Sequence, residues 1–364
     1  VAHYCNKCKK YWNHEVKTCI FCGGETSKLE ESVYRVLSST KVHIPSKGNE
    51  NVPYFVYLLE DKNGQKIIRK SDHHYKIGDE VNFDVATVSR YAVGVIGSGL
   101  MGTQIAEYLV QIGYPVVLKT RTQGSIGGIT SKIQKKLSKK LQEQEVEKCL
   151  ESLIITTDYS DLNSVDIIIE ASKEDLEVKK EVFSELSKFC KSTTIFATNS
   201  SSLSVDALAG VTDRPERFIG LHFFNPIHRM DLIEVVIGTK TSDATKEFAI
   251  NLTHDLKKQP IIVKNSPGFI VNRLLLPQIN EAIRLLGDGI ATKEDIDSAV
   301  KLGLNHPMGP FELADFIGLD TCLSILEVLH TGFGDDHFEP APLLREMVDQ
   351  GKWGYKSGEG FYTY

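Results

Sequence analysis

Apolar positions along the chain change their spacing twice, and each change marks a boundary. Residues 31–88 carry short β-branched and aromatic runs. "SVYRVLSSTKVHI" and "VPYFVYLLE" are two of them, "KIIRKS" follows the turn "DKNG", and "DEVNFDV" alternates apolar with polar. That spacing predicts several short strands with little helix, a small barrel. At Tyr91 the pattern becomes αβ alternation. "AVGVIGSG" is a buried-strand run that breaks into glycines, followed by helical periodicity over Met101–Ile112 and a second strand, "PVVLK". A charged helical stretch is expected over 129–151, then "VDIIIEA", a helix over 174–190, "TTIFAT", "FIGLHFF", "DLIEVVI", a helix over 243–256 and "PIIVK". This is the signature of a parallel, doubly wound Rossmann sheet. From Gly268 onward nearly all patterns are helical, with Pro277 expected to kink or end a turn of "GFIVNRLLLPQINEAIRLL". The predicted fold class is α/β: a Rossmann domain over 91–266 and an all-α domain over 267–364. A metal-binding knuckle over 1–30 and a small barrel over 31–88 precede them.

Composition adds boundaries to function. The 364 residues carry a net charge of −6, which gives no reason to expect a polyanion partner. No apolar run approaches the roughly 18–20 residues of a membrane span. The first residues hold Cys, Lys and His where a signal peptide has an apolar core, so a cytoplasmic protein is expected.

Four of the seven cysteines, Cys5, Cys8, Cys19 and Cys22, lie in two C-x2-C pairs separated by ten residues. Two residues between thiolates let one tight turn aim both sulfurs at one ion. Two such turns make a closed S4 site, which favours structural zinc, with iron the chemical runner-up. The pairs, the strand spacing and the closing "YKIGDEVNFDV" resemble the DUF35 family, a rubredoxin-like ribbon joined to an OB-fold. That resemblance implies an acyl-CoA-associated module that docks a thiolase or helps hold the CoA handle of a passing intermediate. OB-folds also bind nucleic acid, but residues 1–90 hold 14 Lys and Arg against 11 Asp and Glu, a net of +3, too weak for that footprint.

"GSGLMG" places Gly97, Gly99 and Gly102 between a strand and a helix. Gly97 permits the turn, Gly99 lets backbone approach a pyrophosphate, and Gly102 lets helix and strand pack closely, with Leu100 and Met101 between them. Counting 23 residues from Gly97 reaches Thr120, where a carboxylate would accept both ribose hydroxyls of NAD. Thr120 and Arg121 instead offer a hydroxyl and a guanidinium fork, beside Lys119. These suit a 2′-phosphate, so NADP(H) is expected over NAD(H).

"GLHFFNPIHRMDLIEVV" holds His222 at a strand end and Glu234 in the next apolar strand, a plausible general-base dyad. His228, in a turn after Pro226, competes. "GVIGSGLMG", "IIEASKEDLEVKKEVF", "ATNSSSLSV", "GLHFFNPIHRM", "NSPGFIVNRLL", "GLNHPMGPFELADFIGLDT" and "GYKSGEGFYTY", in that order, resemble the 3-hydroxyacyl-CoA dehydrogenase family in its short 3-hydroxybutyryl-CoA form. The resemblance implies His222 as base, Glu234 as its partner, and Ser201 and Asn272 as contacts to the reacting oxygen. It puts Glu174 and Lys179 near the cofactor, Ser125 and Lys132 near CoA, and two chains in a homodimer. With NADPH the direction is reduction of a 3-ketoacyl-CoA. By residue type alone Asn272 can be a helix cap and Ser201 a turn residue. The alternative, a β-hydroxyacid dehydrogenase acting on free acids, depends on a helical-domain lysine, where this chain has Asn272, Arg273 and Arg284.

Overall fold

The computed structural model describes residues 91–364 throughout. Of the first 90 it describes 3–5, 7, 11–12, 19, 24–28, 32–42, 54–61, 66–71 and 75–83. The chain forms two compact units, Val1–Arg90 and Tyr91–Tyr364.

In the first unit β1 (His3–Cys5), β2 (Tyr11–Trp12) and β3 (Thr26–Lys28) form an antiparallel sheet in the order β2-β1-β3. A second antiparallel sheet runs β6-β5-β4-β7, built from β4 (Ser32–Val42), β5 (Tyr54–Asp61), β6 (Lys66–Ser71) and β7 (Glu80–Phe83). The alternating runs thus become strands as their period requires. Val36 of β4 and Tyr57 of β5 are fully buried, and the Tyr57 hydroxyl accepts the Tyr75 N–H at 2.9 Å. Among the described residues this is an open four-stranded sheet; closure into the expected barrel is not part of it. Of the expected metal ligands, Cys5 lies in β1 and Cys19 is buried, while Cys8 and Cys22 lie outside the described residues. Among the described residues no group of three or more His, Cys, Asp or Glu is placed to hold a metal.

The second unit is built on eight strands: β8 (Val93–Ile96), β9 (Val116–Lys119), β10 (Leu153–Thr156), β11 (Ile167–Glu170), β12 (Ile195–Thr198), β13 (Phe218–Phe223), β14 (Leu232–Ile237) and β15 (Gln259–Lys264). They lie in the order β10-β9-β8-β11-β12-β13-β14-β15. β10 through β13 are mutually parallel, but β13 pairs with β14 antiparallel. The wholly parallel sheet expected from the αβ alternation is therefore mixed. Only eight residues separate β13 from β14, too few for a parallel crossover, so the chain turns back on itself. The strand β10, "LIIT", was hidden by its short length and half-exposed edge position.

The expected single helix over 129–151 is two, α2 (Ile126–Leu137) and α3 (Glu143–Glu151). The break is set by Gln142, whose backbone N–H donates to Glu145 as α3 begins. Elsewhere α1 (Leu100–Gln111), α4 (Leu176–Phe189) and α6 (Asp243–Asp255) follow the periodicity closely, and short α5 (Val205–Ala209) leads toward β13. The C-terminal helices α7 (Val271–Gly287), α8 (Lys293–Leu304), α9 (Pro310–Ile317), α10 (Leu319–Phe333) and α11 (Pro342–Asp349) enclose a core around Ile283, Phe311, Leu326, Leu329 and Leu344. Pro277 sits inside α7 without ending it. No helix among the described residues is long and apolar enough to cross a membrane.

Candidate active site

The sheet order reverses at β8: the chain steps outward to β10, then returns to β11 on the other side of β8. Open α/β sheets bind ligands outside the carboxyl ends of strands at such a switch point. A cleft of about 900 Å³ lies there, its walls including Gly97, Gly99, Leu100, Met101, Ser172, Asn199 and Ser201. Gly97 has φ of +102°, and a Cβ on it would lie 2.5 Å from the Ala171 carbonyl oxygen. A Cβ on Gly102 would lie 1.9 Å from the Gly97 carbonyl oxygen, so only glycine lets α1 start this close to the turn. Gly99 faces open space and caps α1 without a side-chain acceptor. The first amides of α1 are thus left to an anion, as a dinucleotide pyrophosphate requires. The cradle fits the cofactor.

The β9 end forms the cleft's other wall. Thr120 is buried, its hydroxyl within 2.8 Å of Ser98 Oγ and 3.0 Å of Ser125 Oγ. Thr120 and Ser125 are therefore members of one hydroxyl cluster, and Ser125 sits in the cofactor cleft. Arg121 is exposed and lines the cleft. The Lys119 ammonium lies 4.0 Å above the Tyr159 ring; burial pulls its pKa below the usual lysine value, opposed by Asp158. Lys132 is exposed on α2 and is not part of the cleft wall.

His222 and Glu234 are register partners across the β13–β14 pair. The antiparallel reversal turns twelve residues of sequence into direct opposition. His222 Nδ1 lies 2.6 Å from Glu234 Oε2, and both residues are buried. A carboxylate oxygen accepts, so Nδ1 carries the hydrogen of this bond, and in the neutral ring the lone pair is then on Nε2. The other oxygen, Oε1, accepts the N–H groups of Ile270 and Val271 at 3.0 and 3.1 Å. Glu234 thus caps α7, whose own N-cap Ile270 has no side-chain acceptor. The ring packs on Phe224 and Phe269, with centroids 4.4 and 5.7 Å away. His228 lies exposed in the loop beyond, its pKa pulled down first by desolvation and then by Lys140 and Arg229.

His222 and Glu234 are not themselves in the cleft wall; two amides tie cleft-lining Asn199 and Ser201 to β13, which carries His222, and to α7, which Glu234 caps. Asn199 Oδ1 accepts the Phe223 N–H at 3.0 Å, and Asn272 Nδ2 donates to the Ser201 carbonyl at 3.0 Å. Asn272 is therefore a bridge between α7 and the Ser201 turn and not a cap. Glu174 accepts the Ser201 N–H at 2.9 Å and the Ser200 hydroxyl, and pairs with Lys179 at 3.2 Å. Lys179 is only 1% exposed and lies 2.8 Å from fully buried Glu170. Glu170 also accepts the Ser172 N–H and the Ser172 and Thr198 hydroxyls. Glu170, Asn199 and Ser98 were not singled out in sequence. Glu170 carried a readable signal, an acid closing the apolar run "IIIE", the same signal that marked Glu234. The Arg273 guanidinium stacks over Phe333 at 4.3 Å.

Two family models match the second unit: the 3-hydroxyacyl-CoA dehydrogenase NAD binding domain over residues 92–266 and its C-terminal domain over 268–364. The 3-hydroxybutyryl-CoA dehydrogenase of Clostridioides difficile is 47% identical over 277 residues, 75% of this chain and 99% of that one. The mitochondrial hydroxyacyl-coenzyme A dehydrogenase of Homo sapiens is 44% identical over 284 residues, 75% of this chain and 90% of that one. The crystal structure of (S)-3-hydroxybutyryl-CoA dehydrogenase from Ralstonia eutropha matches with a TM-score of 0.72 at 43% identity, covering 76% of this chain and 99% of that one. With a dinucleotide cradle at the switch point, a buried His–Glu dyad on the same sheet and both family domains in order, the chain belongs to the 3-hydroxyacyl-CoA dehydrogenase family, nicotinamide-dependent oxidoreductases acting on a CH–OH group.

Proposed function

We propose that the chain interconverts short 3-hydroxyacyl-CoA and 3-ketoacyl-CoA, of the 3-hydroxybutyryl/acetoacetyl type, with His222 as general base. The observation that carries this is the 2.6 Å contact between His222 Nδ1 and Glu234, whose second oxygen is held by two amides at the start of α7. When bound, the nicotinamide supplies the hydride acceptor or donor for carbon 3. His222 Nε2 takes the hydroxyl proton in oxidation and returns it to the alkoxide in reduction. Glu234 holds the ring and favours the imidazolium. Ser201 and Asn272 stabilise the reacting oxygen by hydrogen bonds. Glu174 and Lys179 support the cofactor side through the Ser200–Ser201 turn. His222→Gln is expected to fold normally and lose most of its turnover of acetoacetyl-CoA; a variant with wild-type kcat refutes the base. The reading over a free-acid dehydrogenase is tested in the same assay: turnover of free 3-hydroxy acids with none of CoA esters reverses it.

Preference for NADP(H) is supported by exposed Arg121 at the β9 end, where the strand closes on Lys119, Thr120 and Arg121 in place of a carboxylate. For Ser125 and Lys132 a CoA role rests on family resemblance. The first 88 residues are proposed as a zinc-ribbon segment (1–30) and an OB-like segment (31–88) that docks a thiolase, ahead of a cofactor domain over 91–266 and a dimerising helical domain over 267–364. Structural zinc on Cys5, Cys8, Cys19 and Cys22 rests on the C-x2-C spacing.

A further inference from the structure

The geometry points to Gln104 as a positioning residue that fixes the catalytic hairpin against the cofactor-binding helix. The inference rests on His222 being the base. Cofactor cradle and base come from different strands. β8, which leads into the glycine turn, lies three places from β13, which carries His222. Three strand spacings are about 14 Å, and the sheet's ladder bonds join the strands, not the loops beyond their ends. Hydride transfer tolerates little displacement there, since a misplacement of about 1 Å can cost about 100-fold in rate.

Gln104 bridges the gap directly. It is the fifth residue of α1 and only 9% exposed, where an unpaired amide would be costly. Both ends of the amide are paired, and both partners lie in the turn after β13. Nε2 donates to Asn225 Oδ1 at 2.8 Å, and Oε1 accepts the Ile227 N–H at 3.1 Å. Two bonds from one planar group fix orientation as well as distance. The neighbouring residue, Thr103, donates its hydroxyl to the Ser98 carbonyl at 3.0 Å, inside the glycine turn. Successive residues of one helical turn therefore hold the cofactor loop and the hairpin. Phe224, the residue before Asn225, packs on the His222 ring. Asn199 holds the Phe223 N–H on the other side. The strand end that presents the base is gripped from both flanks, and Gln104 supplies the grip that reaches the cofactor helix.

The test uses the full chain with acetoacetyl-CoA and reduced cofactor, reading kcat, KM, the single-turnover rate of cofactor oxidation and Tm. Gln104→Met keeps the volume and removes the amide. Exposed Asn225 allows Asn225→Ala, which removes the acceptor, and Asn225→Asp, which keeps it. Gln104→Met is expected to lose about tenfold in kcat and in the single-turnover rate, with both KM values within about twofold. Asn225→Ala shows a smaller loss of the same kind, Asn225→Asp stays near wild type, and the double Gln104→Met/Asn225→Ala variant is no slower than Gln104→Met alone. Unchanged single-turnover rates, losses that multiply in the double variant, or a change in Tm or KM alone overturn the proposal. His222→Gln, run in parallel, separates the two claims. If it is active, the dyad reading fails; if it is inactive while Gln104→Met is unimpaired, only the present inference fails.

Discussion

Replacing Glu234 by Gln changes one atom and reverses one hydrogen bond. In the native site Oε2 faces His222 Nδ1 at 2.6 Å, and Oε1 accepts two N–H groups from α7. The Gln amide keeps the volume but must choose an orientation. With its oxygen toward Ile270 and Val271 it preserves both helix bonds and turns its NH2 toward His222. Nδ1 must then accept, the ring proton moves to Nε2, and the base loses its lone pair. The opposite orientation places NH2 against two N–H donors and forfeits both bonds, so the first is adopted. In the Ser-His-Asp template the same acid-to-amide change costs about 10⁴ in kcat, and a loss of about 10³–10⁴ is expected here. Stability falls only by the charge–dipole part of the cap, about 1 kcal/mol, or about 2–4 °C in Tm. Glu234→Ala is expected to show the reverse emphasis. It leaves the amides without their acceptor, at about 1–3 kcal/mol for each one that water does not reach, while the ring is free to choose its tautomer. The assay is steady-state cofactor absorbance with acetoacetyl-CoA, alongside thermal melts of the three proteins. If Glu234→Gln retains kcat within tenfold of wild type, Glu234 does not set the tautomer and the dyad reasoning fails.

Arg121→Ala is expected to raise KM for NADPH about 10- to 100-fold, the worth of a charge-assisted phosphate contact, and to leave NADH unchanged; equal effects on both cofactors remove the 2′-phosphate reading. Lys179→Met leaves Glu170 buried without its cation, at an expected cost of about 3–5 kcal/mol in denaturant titration, and Glu170→Gln in the same chain restores part of it. A loss below about 1 kcal/mol shows the pair to be unimportant for folding. Removing residues 1–88 is expected to spare turnover of soluble substrate and abolish capture of thiolase; loss of turnover places the segment in the catalytic unit instead.

Much of the candidate site was legible because its signals are local. Gly97, Gly99 and Gly102 are demanded by contacts within one strand–turn–helix, so six residues of sequence announce them. Glu234 was legible because an acid in an apolar strand requires a partner, and His222 because it closes an apolar strand at the sheet's carboxyl edge, where ligands bind. The buried Glu170–Lys179 pair follows the same logic, an acid closing an apolar strand and a cation from the next helix to meet it. The role of Asn272 was ambiguous because Asn near a helix start can cap it; the structure gives the cap to Glu234 and sends Asn272 to Ser201.

What the sequence determined by itself is the set of elements and the chemistry each carries, since periodicity, glycine geometry and residue type act over a few positions. What only the tertiary structure decided is which of those residues meet. The reversal at β13–β14 set His222 opposite Glu234, and the return of the chain to β11 laid Glu170, Glu174 and Lys179 beside the cradle. The amide of Gln104 spans more than a hundred residues of chain to reach the turn beyond His222. Strand order and direction are fixed by packing the whole sheet against its helices, a property of all the elements at once that no short stretch of sequence contains.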